Sequence, residues 1–305
     1  MRWVVTGAAG FIGSHLSEAL VERGDEVVGV DSFTDYYDPR EKEENAAGLD
    51  VLRSDLADDG LHLDGVDGVF HLAGQPGVRS FGEAFPLYLR RNVLATQRVF
   101  QSAAEAGVRV VFASSSSVYG EAERYPTPED TRAQPISPYG ITKLACEQLA
   151  HAYAVSFGLD AVALRYFTVY GPRQRPDMFF RRVCDVLAGG GRFEIFGTGE
   201  QSRSFTEVAD VVAATIAAMD RAPAGSLYNV GGGDEASLLE AIALLEGISG
   251  RTLEVAHVDR ARGDVRRTKA DVTRIRDGLE WEPRVALADG LARMWAWASA
   301  RVAAR

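Results

Sequence analysis

The stretch VVTGAAGFIGSHL, residues 4–16, constrains this chain more than any other. A β-branched run enters it, a helical pattern leaves it, and Gly7, Gly10 and Gly13 recur between them. Such glycines permit a tight strand-to-helix turn and let an anion approach the amides of the first helical turn, here around Phe11 and Ile12. The spacing is GxxGxxG rather than GxGxxG, and a glycine turn by itself can serve packing alone. A second strand-like run, 26–30, leads into Asp31. A carboxylate there accepts from adenosine ribose hydroxyls and repels a 2′-phosphate. Strand, glycines, helix and acid together predict a dinucleotide site that favours NAD over NADP.

The alternation continues through the first half. Runs 3–5, 26–30, 68–71, 108–112 and 161–165 read as strands; 14–23 (stopped by Gly24), 93–106 and 139–156 read as helices. This order predicts an α/β fold, a Rossmann-type doubly wound parallel sheet with right-handed connections. After about Tyr166 the texture shifts to glycine-rich loops, AGGGRFEIFGTGEQSR and NVGGGDE among them. Residues 1–166 are therefore expected to form the NAD-binding domain. Residues 167–305 are expected to form mainly a smaller mixed α/β substrate-binding region, with segments near 204–225 returning to the first.

Charge narrows the partners. A net charge of −10 argues against nucleic acid or an anionic membrane surface. Only Lys42, Lys143 and Lys269 are lysines among 33 basic residues; arginine makes bidentate contacts to phosphate and carboxylate, so local anion sites remain open despite the global charge. Cys146 and Cys184 cannot build a disulfide framework and suit a reducing, cytoplasmic setting. No apolar run reaches 18 residues, so no membrane span is expected, and MRWVVTGAAG leaves no room for a signal peptide. No metal site is expected.

Two further stretches carry chemistry. In ISPYGITKLACEQLA, Tyr139 and Lys143 stand four apart on one helical face. A free tyrosine is a poor base at neutral pH, but a nearby ammonium and a nicotinamide cation both favour its phenolate. YxxxK also arises by chance, as an aromatic ring packed on a lysine stem. Lys143 is one of only three lysines and a cofactor turn is already present, which favours the catalytic reading. The second stretch is ASSSSVYGE, where four hydroxyls follow the buried strand 108–112.

Together TGAAGFIG, the serine run and YGITK resemble the extended short-chain dehydrogenase/reductases, in particular the NAD-dependent nucleotide-sugar epimerases, over essentially the whole chain. The resemblance implies that Ser115 hydrogen-bonds the reacting sugar hydroxyl, Tyr139 removes its proton, and Lys143 holds the nicotinamide ribose. It also implies cofactor contacts at Asp55, Leu56, Leu72, Ala73 and Asn92, and a homodimer through the helices of Asn92 and Tyr139. Dehydratases of this kind carry an Asp-Glu pair after the catalytic hydroxyl; here Ser116 and Ser117 stand there, which disfavours dehydration.

DSFTDYYDPR, GQPGVRS (with Arg79) and RYFTVYGPRQRPDM (with Thr168 and Arg175) resemble epimerases of UDP-glucuronate more than those of UDP-glucose. A C6 carboxylate would give the serines a role. A 4-keto glucuronate loses carbon dioxide unless its carboxylate is held out of alignment, and Ser116, Ser117 and Arg175 can hold it. The resemblance places Phe196 against the base, Arg203 on the UDP diphosphate and Asp264 near the uridine ribose. Arg260, Arg262 and Arg266 stay open as further diphosphate contacts, and any of these arginines could be a surface ion pair instead. Departures from the pattern are Ser204, Glu207 and Gly74, the last in place of a customary alanine. The leading expectation is C4 epimerisation of UDP-glucuronate. The alternatives are a neutral UDP-hexose or N-acetylhexosamine 4-epimerase, a UDP-glucuronate decarboxylase, and an inactive NAD-sensing protein.

Overall fold

The computed structural model describes residues 1–78, 81–259 and 265–303. The chain opens with β1 (Arg2–Thr6), α1 (Phe11–Glu22), β2 (Glu26–Asp31), α2 (Pro39–Asn45), β3 (Asp50–Arg53), the single turn α3 (Leu56–Asp59) and β4 (Gly68–His71). It continues through α4 (Phe85–Tyr88), a π-helical turn (Leu89–Leu94), α5 (Ala95–Ala106), β5 (Arg109–Ser115), a 3-10 turn (Ser116–Val118), α6 (Pro138–Phe157) and β6 (Ala161–Tyr166). Then come β7 (Thr168–Tyr170), α7 (Phe179–Gly189), β8 (Arg192–Phe196), β9 (Ser202–Glu207), α8 (Val208–Arg221), β10 (Leu227–Val230), β11 (Glu235–Ser237), α9 (Leu238–Ser249), β12 (Glu254–Val258), β13 (Arg267–Thr268), α10 (Thr273–Leu279) and α11 (Leu287–Ala303).

Seven strands form one sheet in the order β10-β6-β5-β4-β1-β2-β3, and every pairing in it is parallel. Its central strands are buried along their length, as a sheet covered on both faces requires. The order reverses direction between β1 and β4, and a doubly wound sheet binds its ligand in the crevice at such a point, beyond the strands' carboxyl ends. Asp31, Ser115 and the glycine turn all lie at those ends.

Two apolar cores cover the two faces of this sheet. One of them, built on Val5, Leu16 and Phe70, also takes in Val208, Val211 and Met219 of α8, Tyr228 and Val230 of β10, Ile275 and Leu279 of α10, and Trp281. Segments as far along the chain as Trp281 therefore pack on the large sheet. A third core (Tyr170, Phe180, Phe193, Phe205, Leu245, Leu291) joins α7, α9 and α11 to β9 and to the two-stranded pair of β8 and β12, and forms the smaller region.

Two local readings change. Strand β5 does not stop at Phe112: Ser114 and Ser115 pair in register with Arg165 and Tyr166 of β6, so half the serine run is strand. The helix read from residue 93 begins earlier, in the π-helical turn that holds Arg91 and Asn92.

Candidate active site

The cofactor end is built largely from backbone. Gly7 adopts φ +71 and its amide donates to the Val30 carbonyl at 2.7 Å. A Cβ on Gly7 would stand 2.8 Å from the Ala73 nitrogen, and one on Gly13 would stand 2.0 Å from the Gly7 oxygen. Helix α1 starts on Gly10 with no side-chain cap and no acid in its first turn. Its first amides therefore retain their donors and the positive end of the helix dipole, beside a turn no side chain fills. Asp31 closes this end, buried, accepting from the Ala9 and Phe33 amides at 3.3 and 2.7 Å with the Lys42 ammonium 3.6 Å away. An uncapped anion cradle beside a buried carboxylate at a strand end fits NAD. Asp55 caps α3 through the Ala57 amide (3.0 Å) and reaches Arg90 (3.2 Å); with Leu56, Leu72 and Ala73 it lines the cleft. Asn92 lies beneath it, fully buried. Its Oδ1 accepts from the Gln75 amide at 2.7 Å and its Nδ2 donates to the Gln75 carbonyl and Thr142 Oγ1, so it supports the floor.

Ser115, Tyr139 and Lys143 line the same cavity, of about 630 Å³, within the usual range for a small-molecule site. Ser137 caps α6 by accepting from the Gly140 amide at 3.1 Å, and Pro138 preorganises the first turn. That fixes where Tyr139 enters. The Lys143 ammonium lies 5.9 Å from the Tyr139 ring centroid and donates to the Ala113 carbonyl at 2.8 Å. Ser115 Oγ accepts from the Ser117 amide at 3.1 Å, which leaves its own proton free for a ligand.

Ser114 donates to Glu147 at 2.5 Å. Glu147, one turn after Lys143, is held bidentately by Arg165 (2.9 and 2.7 Å). Arg165 also donates to the Tyr119 hydroxyl, which donates to Asn229. This buried network ties α6 to β5, β6 and β10 beside Ser115 and Lys143. Gly74 has its reason here too: a Cβ would stand 2.9 Å from Asn92 Oδ1 and 3.4 Å from Lys143 Nζ.

Ser116, Ser117, Thr168, Arg175 and Arg203 also line the cleft. Arg175 pairs with Asp177 at 3.0 and 3.1 Å, and Asp177 accepts from the Tyr36 hydroxyl at 3.3 Å. Burial alone would lower the Arg175 pKa, but Asp177, with Tyr36 and Tyr139, outweighs it and holds it above the ordinary value. Burial, with Asp177 beside it, pushes the Tyr36 phenol up to about 12, so Tyr36 remains a donor. Arg203 donates to the carbonyls of Ser202, Val265 and Arg266. Arg266, one of the open diphosphate candidates, takes Glu121 on its amide. Among the described residues that line the cleft Phe196 is not found: it ends β8, and its carbonyl accepts from Gln201 at 2.7 Å. Arg79, Arg260, Arg262 and Asp264 lie outside the described residues.

The cleft also contains Tyr36, Tyr37, Lys42, Gln75, Arg91 and Asp177, which sequence reasoning does not single out as site residues. The scarcity of lysine is the one available signal for Lys42. Among the described residues no helix is long and apolar enough to cross a membrane, and no His, Cys, Asp and Glu group could hold a metal ion.

Comparison with known proteins agrees with this geometry. The NAD dependent epimerase/dehydratase family matches residues 3–231. A Bacillus subtilis (strain 168) protein, YtcB, described as an uncharacterized UDP-glucose epimerase, is 41% identical, with 98% of each chain covered. The crystal structure of UDP-glucuronic acid 4-epimerase from Bacillus cereus, in complex with UDP-glucuronic acid and NAD, superposes with a TM-score of 0.95 at 38% identity, covering 99% of this chain and 100% of that one. MoeE5, solved with NAD and UDP-glucuronic acid, is 43% identical with a TM-score of 0.89, covering 99% of this chain and 100% of its own. With a Rossmann-type sheet, an uncapped glycine turn, and Ser115, Tyr139 and Lys143 in one cleft, the chain belongs to the NAD dependent epimerase/dehydratase family and is an NAD-dependent isomerase.

Proposed function

We propose that the protein epimerises a UDP-sugar at C4, and that its substrate is UDP-glucuronate, giving UDP-galacturonate. The observation that carries this reading is one cavity holding Ser115, Tyr139 and Lys143 together with Ser116, Ser117 and the guanidinium of Arg175. Bound NAD would supply a reversible hydride acceptor for C4, with hydride return to the opposite face of the sugar. Ser115 donates its free proton to the C4 oxygen and orients it. Tyr139 accepts the C4 hydroxyl proton and later gives it back. Lys143 commits one of its three protons to the Ala113 carbonyl and keeps the others for the nicotinamide ribose and for stabilising negative charge on Tyr139. Arg175 and the two serines hold the C6 carboxylate through charge-assisted bonds and keep the 4-keto sugar from decarboxylating.

A specific observation favours a second reading, a neutral UDP-hexose 4-epimerase. Asp177 already neutralises Arg175, and MoeE5 has also been solved with UDP-glucose and NAD. Proton NMR of the products from UDP-glucuronate and from UDP-glucose distinguishes the two. UDP-galacturonate from the acidic sugar at the greater kcat/KM is the expected result; preferential conversion of UDP-glucose overturns it. We also propose a homodimer, because Leu87, Leu89, Leu94 and Ile141 stand exposed on α4, the π-helical turn and α6. A monomer at micromolar concentration in sedimentation velocity would overturn that.

A further inference from the structure

We propose that Arg91, aimed by Gln75, binds the diphosphate of the dinucleotide together with the glycine turn. Two phosphates bring two negative charges into the cleft, and the uncapped start of α1 answers with amides and only about half a positive charge. A side-chain cation is needed on the open side. Other cleft cations are engaged: Lys42 faces Asp31, Arg175 is paired with Asp177, and Lys143 stands at the Tyr139 end. Arg91 lines the cleft, and among the described residues no carboxylate pairs with it; its bond is to a neutral acceptor, Gln75 Oε1, at 2.7 Å.

The local backbone aims it. Arg91 and Asn92 are neighbours in the π-helical turn, an irregularity often found at functional sites, and both address Gln75. Asn92 locks the Gln75 backbone while Arg91 bonds its side chain. Gln75 follows directly on the segment that packs against the glycine turn, where Ala73 N lies 2.8 Å from where a Gly7 Cβ would be. Across the cleft, the Arg91 charge also reaches Lys42, where, after burial, it helps to lower that lysine's pKa. Arg91 lines the same cavity as Asp31 and Lys143, the ribose and nicotinamide ends between which the diphosphate must pass. Its planar fork can take two phosphate oxygens while Gln75 keeps it extended. The consequence is retention: an epimerase must hold its dinucleotide between the two hydride transfers.

The test uses the full-length protein with Arg91→Gln and Arg91→Lys. NAD loss from the purified holoenzyme is followed at low and high salt, and NAD, ADP-ribose, adenosine and UDP are then titrated onto the emptied protein. Arg91→Gln should weaken NAD and ADP-ribose about tenfold to a hundredfold, the loss of one charge-assisted contact, and should flatten the salt dependence of NAD release. Adenosine and UDP should bind as before, Arg91→Lys should recover part of the affinity, and Gln75→Ala should weaken NAD by less than Arg91→Gln does. Unchanged NAD affinity in Arg91→Gln overturns the proposal. So does a parallel loss for adenosine, which would make Arg91 a prop for the loop, and so does a loss confined to UDP, which would assign it to the other diphosphate. An unchanged melting temperature of the emptied variant excludes a folding defect as the cause. Cofactor affinity is read without the sugar, so this test is separate from that of the substrate.

Discussion

The two ends of the cleft are built in different ways. At the cofactor end the fit is made by backbone: a turn that excludes side chains at Gly7 and Gly13, helix amides with no cap, and one carboxylate placed by the end of a strand. At the other end, where the sugar is proposed to bind, it is made by long side chains from separated segments: Tyr36 before α2, Arg175 and Asp177 before α7, and Arg203 on β9, held by one another and by carbonyls. The cofactor end therefore tolerates almost no change in shape, whereas the sugar end can be retuned by exchanging single charges.

Gly13→Ala should have the most severe effect and strikes the rigid end directly. Its Cβ would overlap the Gly7 carbonyl, and no flexible side chain is there to yield. The variant should purify without NAD and show no measurable turnover while keeping its circular dichroism; an active, NAD-loaded variant would show the turn to be looser than its geometry. Next is Tyr139→Phe, which removes a proton acceptor and little volume. Turnover should fall at least about a hundredfold with NAD retained; near-normal turnover would move the proton transfer to another group.

Arg175→Ala probes the contrast from the sugar end. It should weaken UDP-glucuronate about tenfold to a hundredfold through loss of a charge-assisted contact, with little effect on UDP-glucose or on NAD. Equal losses for both sugars would leave Arg175 as no more than the partner of Asp177.

The mildest effect is one of stability. His71 sits fully buried between Thr6 Oγ1 (2.7 Å) and Thr96 Oγ1 (2.9 Å), and burial, with Lys143 adding to it, pushes its pKa down to about 3. The unfolded chain takes up a proton near 6.5 that the folded ring refuses. Stability from the neutral ring is therefore complete above about pH 6.5 and is lost as pH falls toward 3, by at most ~1.4 kcal/mol per pH unit. Melting temperatures between pH 7 and 5 should fall less steeply in His71→Gln than in the parent. Identical slopes would place the acid sensitivity elsewhere.

Features that depend on short stretches of backbone were legible in the sequence. The glycine turn is dictated by residues 7, 10 and 13 because any Cβ at 7 or 13 would strike backbone. Tyr139 and Lys143 share a helical face because four residues make about one turn, and Asp31 follows from where its strand ends. The rest was settled by tertiary structure, because it concerns which distant segments the crossovers bring together. Nothing local says that Asp177 neutralises Arg175, that Lys42 faces Asp31, or that Phe196 stays out of the cleft. The serine run shows both sides. The family resemblance singled out Ser115 in the sequence, but serines carry no strand signal, and only pairing with Arg165 and Tyr166 of β6 extends β5 through Ser114 and Ser115. That pairing, with the alternation of a pleated strand, gives the neighbouring serines different partners: Ser114 donates to Glu147, and Ser115 accepts from the Ser117 amide.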